Sequence, residues 1–311
     1  MYLSNIQQYS IFMDNTKTNM KLNQVINLNE MIELMLDAVC VVDKSGHIVF
    51  VSSAFEYIFG YKAAEVINEP IAKFVVHDDR EKTASTVNKI LSGTEQRSFE
   101  NRWTHKSGQI INVLWSARWS EKHQVRIAVA HDITERKKME DRLQFLANHD
   151  QLTKLPNRAF LEKSLQQSLA QAKREITDLC LLFIDVDNFK IINDMHGHGV
   201  GDQILKVIAK RLLETVRESD SVGRLGGDEF LIILNTVKAK HNAYLLAEKI
   251  CTVIEQPICI DENLLQLTVS IGIAFYPDDV ADEQQLLQQA DQAMYKAKRA
   301  GGNSVRSLFN H

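Results

Sequence analysis

Two spacings of apolar residues alternate along the chain, and each change of spacing marks a new element. The first 27 residues, rich in Asn and Gln, hold neither spacing and read as a tail or a weak helix. From Leu28 the spacing turns helical through Met31, Leu34 and Met35, then gives way to a short apolar run, Ala38 to Val42. Asp43-Lys44-Ser45-Gly46 has turn chemistry, and His47 to Val51 returns as a second strand, which makes a hairpin. Further on, Ile111, Val113, Trp115, Ala117 and Trp119 alternate with more polar residues, as in a strand with one buried face. Val125, Ile127 and Val129 repeat that alternation and are expected to point inward in the next strand. Residues 28–133 therefore read as a small α+β domain, one sheet face curled around a core. Residues 134–149 are charged and helical, with Met139, Leu143 and Leu146 on one side; they read as a linker, either a solvated connector or a dimerising coiled-coil stalk. Residues 150–311 alternate helices and strands: Leu179 to Ile184 suits a central strand, and Ile204, Ile208 and Leu212 form one helical stripe.

Composition narrows the classes. The 311 residues suffice for two ordinary domains, and 45% hydrophobic with 24% charged content is that of globular protein. A formal charge of −4 offers no general basic field for nucleic acid or anionic lipid, so phosphate binding has to be local. Cys40, Cys180, Cys251 and Cys259 form no CxxC pair and read as reduced thiols. No apolar run reaches the roughly 18–20 residues of a membrane span, and no signal pattern opens the chain; the expected location is the cytoplasm.

The candidate chemistry lies in the second half. Phe183-Ile184-Asp185-Val186-Asp187-Asn188-Phe189-Lys190 is an apolar strand ending in carboxylates and a lysine. Later, Arg224-Leu225-Gly226-Gly227-Asp228-Glu229-Phe230 runs into an apolar strand, with Gly226-Gly227 expected as the two-residue hairpin turn. If these strands are neighbours, Asp185 and Asp228 converge, and like charges so close call for a cation between them. Hard oxygen ligands select Mg²⁺ or Mn²⁺, a donor set suited to phosphoryl or nucleotidyl transfer.

The same segments, together with Asp150-Gln151-Leu152-Thr153-Lys154-Leu155-Pro156-Asn157-Arg158, Val269-Ser270-Ile271-Gly272 and Tyr295-Lys296-Ala297-Lys298, resemble the GGDEF family of diguanylate cyclases. That resemblance implies an antiparallel, palm-like sheet with flanking helices. It implies that Asp185, Val186 (by its carbonyl), Asp228 and Glu229 hold two Mg²⁺ or Mn²⁺ ions per site, with Asp228 as base for the 3′-hydroxyl and Glu229 assisting. Asn188, Phe189, Lys190 and Lys298 would hold the GTP phosphates, and Asn193 and Asp202 the guanine, with His198 orienting the pocket. Arg217 and Asp220, read as the end of a helix, would form an inhibitory site for cyclic di-GMP. A homodimer is implied, since each domain carries one GTP. One departure stands out: Gly301-Gly302-Asn303 replaces the family's Gly-Arg-Asn, so a phosphate-side arginine is missing. Two rivals are a non-catalytic cyclic di-GMP receptor, opposed by the intact carboxylates, and an adenine-using cyclase, opposed by Asp202. No EAL or HD-GYP phosphodiesterase segment is read after the domain.

In the first half, Asp43-Lys44-Ser45-Gly46-His47-Ile48, Phe59-Gly60-Tyr61, Trp103-Thr104-His105-Lys106-Ser107-Gly108 and Asp132-Ile133-Thr134-Glu135-Arg136-Lys137 resemble a PAS domain in order. Such domains bind haem, flavin, small metabolites or nothing, and the ligand here is unknown. Cys40 lies in the first strand, not in the helix where a flavin photosensor carries its cysteine. His77, followed by Asp78-Asp79-Arg80, reads as an exposed turn, not a haem ligand.

Overall fold

A computed structural model describes residues 27–94, 96–237, 239–260, 263–278 and 282–308. The tail expected over residues 1–27 lies, but for Asn27, outside the described residues. Two units divide the chain, one up to Asp141 and one from Arg142.

In the first unit a capped helix α1 (Leu28–Glu33) precedes the hairpin β1 (Ala38–Asp43) and β2 (Ile48–Val51). The turn closes as its composition demands: Asp43 Oδ1 accepts from the Ser45 hydroxyl at 2.7 Å and the His47 N–H at 2.8 Å, and Gly46 takes a φ of 90°. Next come α2 (Ser53–Phe59), α3 (Ala63–Val66) and α4 (Arg80–Leu91), then β3 (Gln96–Thr104), β4 (Ile110–Ser120) and β5 (Val125–Asp132). The strands form one antiparallel sheet in the order β2-β1-β5-β4-β3. Its core is aromatic: Phe59 and Trp103 lie 4.8 Å apart by ring centroids, and Trp103 and Trp115 lie 5.1 Å apart.

One expectation about this sheet is overturned. Ile127 is 46% exposed and Val125 and Val129 are only half-buried, whereas Arg126, Ala128 and Ala130 face the core. The reason is volume. With Phe55, Phe59, Trp103 and Trp115 filling the core side, positions 128 and 130 of the strand between β1 and β4 have room there for methyl groups only, Arg126 reaches a cavity beside them, and the β-branched residues go outward.

Helix α5 (Thr134–Asn148), on which Met139 and Leu143 are exposed, contains the boundary at Arg142 where the second unit begins. The further elements of that unit are α6 (Arg158–Glu175), β6 (Leu179–Val186), α7 (Phe189–His196), α8 (His198–Thr215), β7 (Ser221–Gly226), β8 (Glu229–Leu234), α9 (Lys240–Glu255), β9 (Ile258–Ile260), β10 (Asn263–Leu265), β11 (Val269–Tyr276), α10 (Glu283–Arg299) and β12 (Ser304–Ser307). The main sheet has the order β12-β11-β6-β8-β7, with β6 antiparallel to both neighbours. Every residue of β6 is buried, which is why it reads as an unbroken apolar run. Cys180, Leu182 and Ile184 pack with α8 and α9, whereas Leu179, Leu181 and Phe183 pack with α6 and α10. By the same alternation Asp185 faces the α6 and α10 side. No helix among the described residues is long and apolar enough to cross a membrane.

Asp79, at the start of α4, anchors that helix to β3. It accepts from Arg102 Nε at 3.0 Å, Nη2 at 2.7 Å and the Arg102 N–H at 2.7 Å, and these bonds hold its carboxyl below the usual range. A depressed folded-state pKa stabilises above the unfolded value and ceases to do so as pH falls through the folded one. Asp79→Asn should therefore lower the urea midpoint at pH 7, with the gap from the parent closing below about pH 4; a gap independent of pH would show that the ion pair contributes nothing.

Candidate active site

Pairing of β6 with β8 sets Asp185 directly opposite Glu229. Gly226 pairs with Glu229, so the two-residue turn is Gly227-Asp228, one residue later than expected from the sequence. The strand slips in register between Arg224 and Gly226, and both glycines take positive φ, 147° at Gly226 and 53° at Gly227. This slip puts Asp228 in the turn itself, its carbonyl accepting from the Val186 N–H at 3.3 Å. Three carboxylates, Asp185, Asp228 and Glu229, thus gather at one end of the sheet.

Their electrostatics follow from that crowding. Burial pushes Asp185 up to about 6; the Lys298 ammonium, paired with Asp185 Oδ1, pulls the other way, and Asp228 and Glu229 push further up. Burial also raises Glu229, with Arg158 opposing and Asp291 and Asp228 adding to the shift. One lysine does not balance this charge, and a divalent cation would. Among the described residues no three His, Cys, Asp or Glu side chains are arranged to hold a metal by themselves. Asp185 and Asp228 are hard oxygen donors that leave positions for substrate oxygens, which fits the way Mg²⁺ is bound.

Lys298 owes its position to a glycine. A Cβ at Gly272 of β11 would stand 1.9 Å from the Ala290 carbonyl oxygen and 2.3 Å from the Met294 nitrogen, so α10 lies backbone against the sheet. Asp187, the other carboxylate at this strand end, has a different duty. It accepts from the Thr268 hydroxyl at 2.7 Å, the Ser270 hydroxyl at 2.7 Å and the Asn303 N–H at 2.9 Å, tying β6 to β11 and to the loop after α10.

Residues 147–304 match the family model described as "Diguanylate cyclase, GGDEF domain". The chain belongs to the GGDEF family. Residues 27–133 of this GGDEF protein match the PAS fold model. It is 44% identical over 161 residues to diguanylate cyclase TpbB from Pseudomonas aeruginosa, covering 51% of this chain and 37% of that one. It is 30% identical over 298 residues to a diguanylate cyclase from Vibrio cholerae, covering 90% of this chain and 89% of that one. Among solved structures, the coiled coil and GGDEF domain of DgcB from Caulobacter crescentus, in complex with c-di-GMP, is similar with a TM-score of 0.52 and 26% identity, over 56% of this chain and 92% of that one. Of TpbB and of the MucR protein of Pseudomonas aeruginosa, also 44% identical, this chain spans well under half the length.

The other residues expected from the sequence to hold nucleotide lie on two helices. Asn188 caps α7 with a φ of 58°, and the N–H groups of Phe189 and Lys190 open the helix without intrahelical acceptors. Phe189 is buried and Lys190 exposed. Asn193 packs over Gly201, where a Cβ would lie 1.9 Å from Asn193 Oδ1, and this oxygen is buried without a hydrogen-bond partner. His198 and Asp202 are exposed in the first turns of α8, four apart on one face.

Arg217 and Asp220 lie beyond α8, which ends at Thr215, and not on it. They close a turn: Asp220 Oδ2 accepts from the Arg217 N–H at 3.2 Å, and the Asp220 N–H donates to the Arg217 carbonyl at 3.0 Å. Asp220 competes for backbone groups, as short carboxylates do, and so ends the helix earlier than expected. The turn borders a cavity of about 220 Å³ with Asn235 and Asn242. It sits at the far end of the β7–β8 hairpin from Asp228, roughly 20 Å away by strand length.

Arg224 went unnoticed in the sequence. Its Nε and Nη2 donate to the Gly227 carbonyl at 2.9 and 2.6 Å, and Nη1 to Asp150 Oδ1 at 2.9 Å, bracing the turn against the segment before α6. The position of the missing arginine is tight. Gly302 has a φ of 77°, and a Cβ there would lie 2.8 Å from Asp187 Oδ2.

Gly272→Ala should cost about 2–3 kcal/mol because rigid backbone blocks the methyl group. Gly302→Arg should cost about 1–2 kcal/mol through its left-handed backbone. Both are read from denaturant unfolding, and values within error of the parent would mean that these glycines are not sterically required.

Proposed function

We propose that this chain is a diguanylate cyclase that condenses two GTP into cyclic di-GMP and two pyrophosphates, under the control of its PAS domain. The observation that carries the reading is the convergence of buried Asp185 and half-buried Asp228 at one end of the sheet, with Lys298 against Asp185. Asp185, Asp228, the Val186 carbonyl and Glu229 hold Mg²⁺ or Mn²⁺, two per site, which when bound draws charge off the substrate phosphates. Lys190, Lys298 and the N–H groups opening α7 hold the β- and γ-phosphates. Asp228 takes the proton of the 3′-hydroxyl that attacks the α-phosphate of the second GTP, and pyrophosphate leaves.

Guanine is read by Asn193 and Asp202. The unpartnered Asn193 oxygen is a buried acceptor, and the guanine edge offers the N1–H and amino donors that satisfy it and the Asp202 carboxylate; adenine lacks that pattern. His198, on the same face as Asp202, orients this pocket. Because the product is two-fold symmetric, two domains face each other in a homodimer. Exposed Met139 and Leu143, one turn apart on α5, supply an apolar seam for that pairing. The rival reading, a receptor that binds cyclic di-GMP without turnover, has Gly302 in its favour, since the phosphate side lacks an arginine.

Incubation with GTP and Mg²⁺ and mass analysis of the product distinguishes the two. Cyclic di-GMP is expected from the parent, and Asp185→Ala or Asp228→Ala should lower turnover at least about 10²-fold while leaving the fold intact. Binding without product in the parent would favour the receptor.

Arg217 and Asp220, beside their cavity and remote from Asp228, are proposed to bind product and inhibit. Arginine pairs bidentately with guanine O6 and N7 or with phosphate. Arg217→Ala should leave the initial rate unchanged and abolish noncompetitive inhibition by added cyclic di-GMP; inhibition equal to the parent's would limit Asp220 to holding the turn.

A further inference from the structure

The core side of the PAS sheet carries a charge that none of the cyclase chemistry uses. Arg126 of β5 pairs with Val42 of β1 and Trp119 of β4 on the core side, and only 6% of its surface is exposed. Among the described residues no carboxylate meets its guanidinium; Cys40 is the one titratable group acting on it, and burial pushes that thiol up to about 12, so it stays neutral. A buried cation without a counter-charge is costly, and stable folds keep one where a partner is to arrive.

A second donor waits beside it. Trp103, 1% exposed, buries its Nε1 without an acceptor. Both residues line one cavity of about 40 Å³. The nearby amide is already satisfied: Asn101 Oδ1 accepts from Trp115 Nε1 at 2.8 Å, and Nδ2 donates to the Thr83 hydroxyl oxygen at 3.0 Å. Thr83 and Thr86, also on the wall, already donate their hydroxyl protons to the Asp79 and Lys82 carbonyls. The donors that remain are those of Arg126 and Trp103, one of them charged, while Phe99, Ile90 and Ala128 add apolar wall. A single positive charge against hydrocarbon selects a monoanion with an apolar body over phosphate or a dicarboxylate. At about 10–15 Å³ for each water-sized position, the space suits a group of about three such positions, far short of haem or flavin.

We propose that this cavity is the sensor site of the PAS domain and takes a small monocarboxylate of about the size of acetate, the longer acids being expected to bind more weakly. Its carboxylate pairs with Arg126 and accepts from Trp103 Nε1, and its alkyl end lies on Phe99 and Ile90. The chain's three tryptophans, Trp103, Trp115 and Trp119, all lie in this sheet, so their fluorescence reports on this domain alone.

The test titrates the full chain with sodium acetate, propionate and butyrate, with propionamide and sodium chloride as controls for shape and ionic strength. A saturable fluorescence change is expected with at least one carboxylate, at least about tenfold weaker with propionamide, and accompanied by a rise in melting temperature. Arg126→Gln should abolish it, and Trp103→Phe, which keeps the ring and removes the donor, should weaken it about tenfold or more. No saturable response to any of the carboxylates overturns the proposal, as does an equal response to propionamide or chloride. A response undiminished in Arg126→Gln does the same. Should that variant fail to fold, carboxylate affinity unchanged in Trp103→Phe overturns it equally.

Discussion

The GGDEF domain depends on a charge placed where the fold can least hydrate it. Asp185 ends a strand buried on both faces, with Glu229 across from it and Asp228 in the adjoining turn. Water cannot relieve this crowding as it would on a surface, so burial raises the Asp185 carboxyl and the Lys298 ammonium carries part of the load. A site of this kind attracts cations, and it demands rigid surroundings, because small displacements among close charges in a poorly screened interior change their energies strongly.

Those surroundings are built from parts far apart in the chain. Asp187 reaches Thr268, Ser270 and Asn303, partners 81, 83 and 116 residues away. Arg224 joins the turn to Asp150 across 74 residues. Together they fix the strand end and the turn that carry the clustered carboxylates. In the PAS domain the constraint is volume instead, with four large rings setting the size of what may face them.

Much of this was legible from periodicity and turn chemistry. The unbroken apolar run of β6, the stripe of α8 and the hairpin at Asp43 to Gly46 each carry their own local signal. Alternation in β5 was legible as well, but not its face. An arginine among alanines suggests a solvent side, and only the rings contributed by α2, β3 and β4 reverse that preference. The hairpin turn moved by one residue because a register slip leaves no mark in composition. Arg217 and Asp220 fit helical spacing, yet an aspartate that captures backbone N–H groups ends a helix as readily as it decorates one. Asp187 was visible in the sequence only as a second carboxylate at the strand end, and its long-range partners could not be inferred from neighbours in sequence.

The contact of α10 with β11 at Gly272 is made of main chain on both sides. A seam of this kind has no side chain to lengthen or trim, so ordinary substitution cannot adjust its thickness. It works as a gauge block, setting the height of Lys298 over the sheet whatever residues decorate the outer face of the helix. That outer face can then diverge from one relative to the next, acquiring new partners or solubility, while the distance between ammonium and carboxylate stays out of reach of such drift.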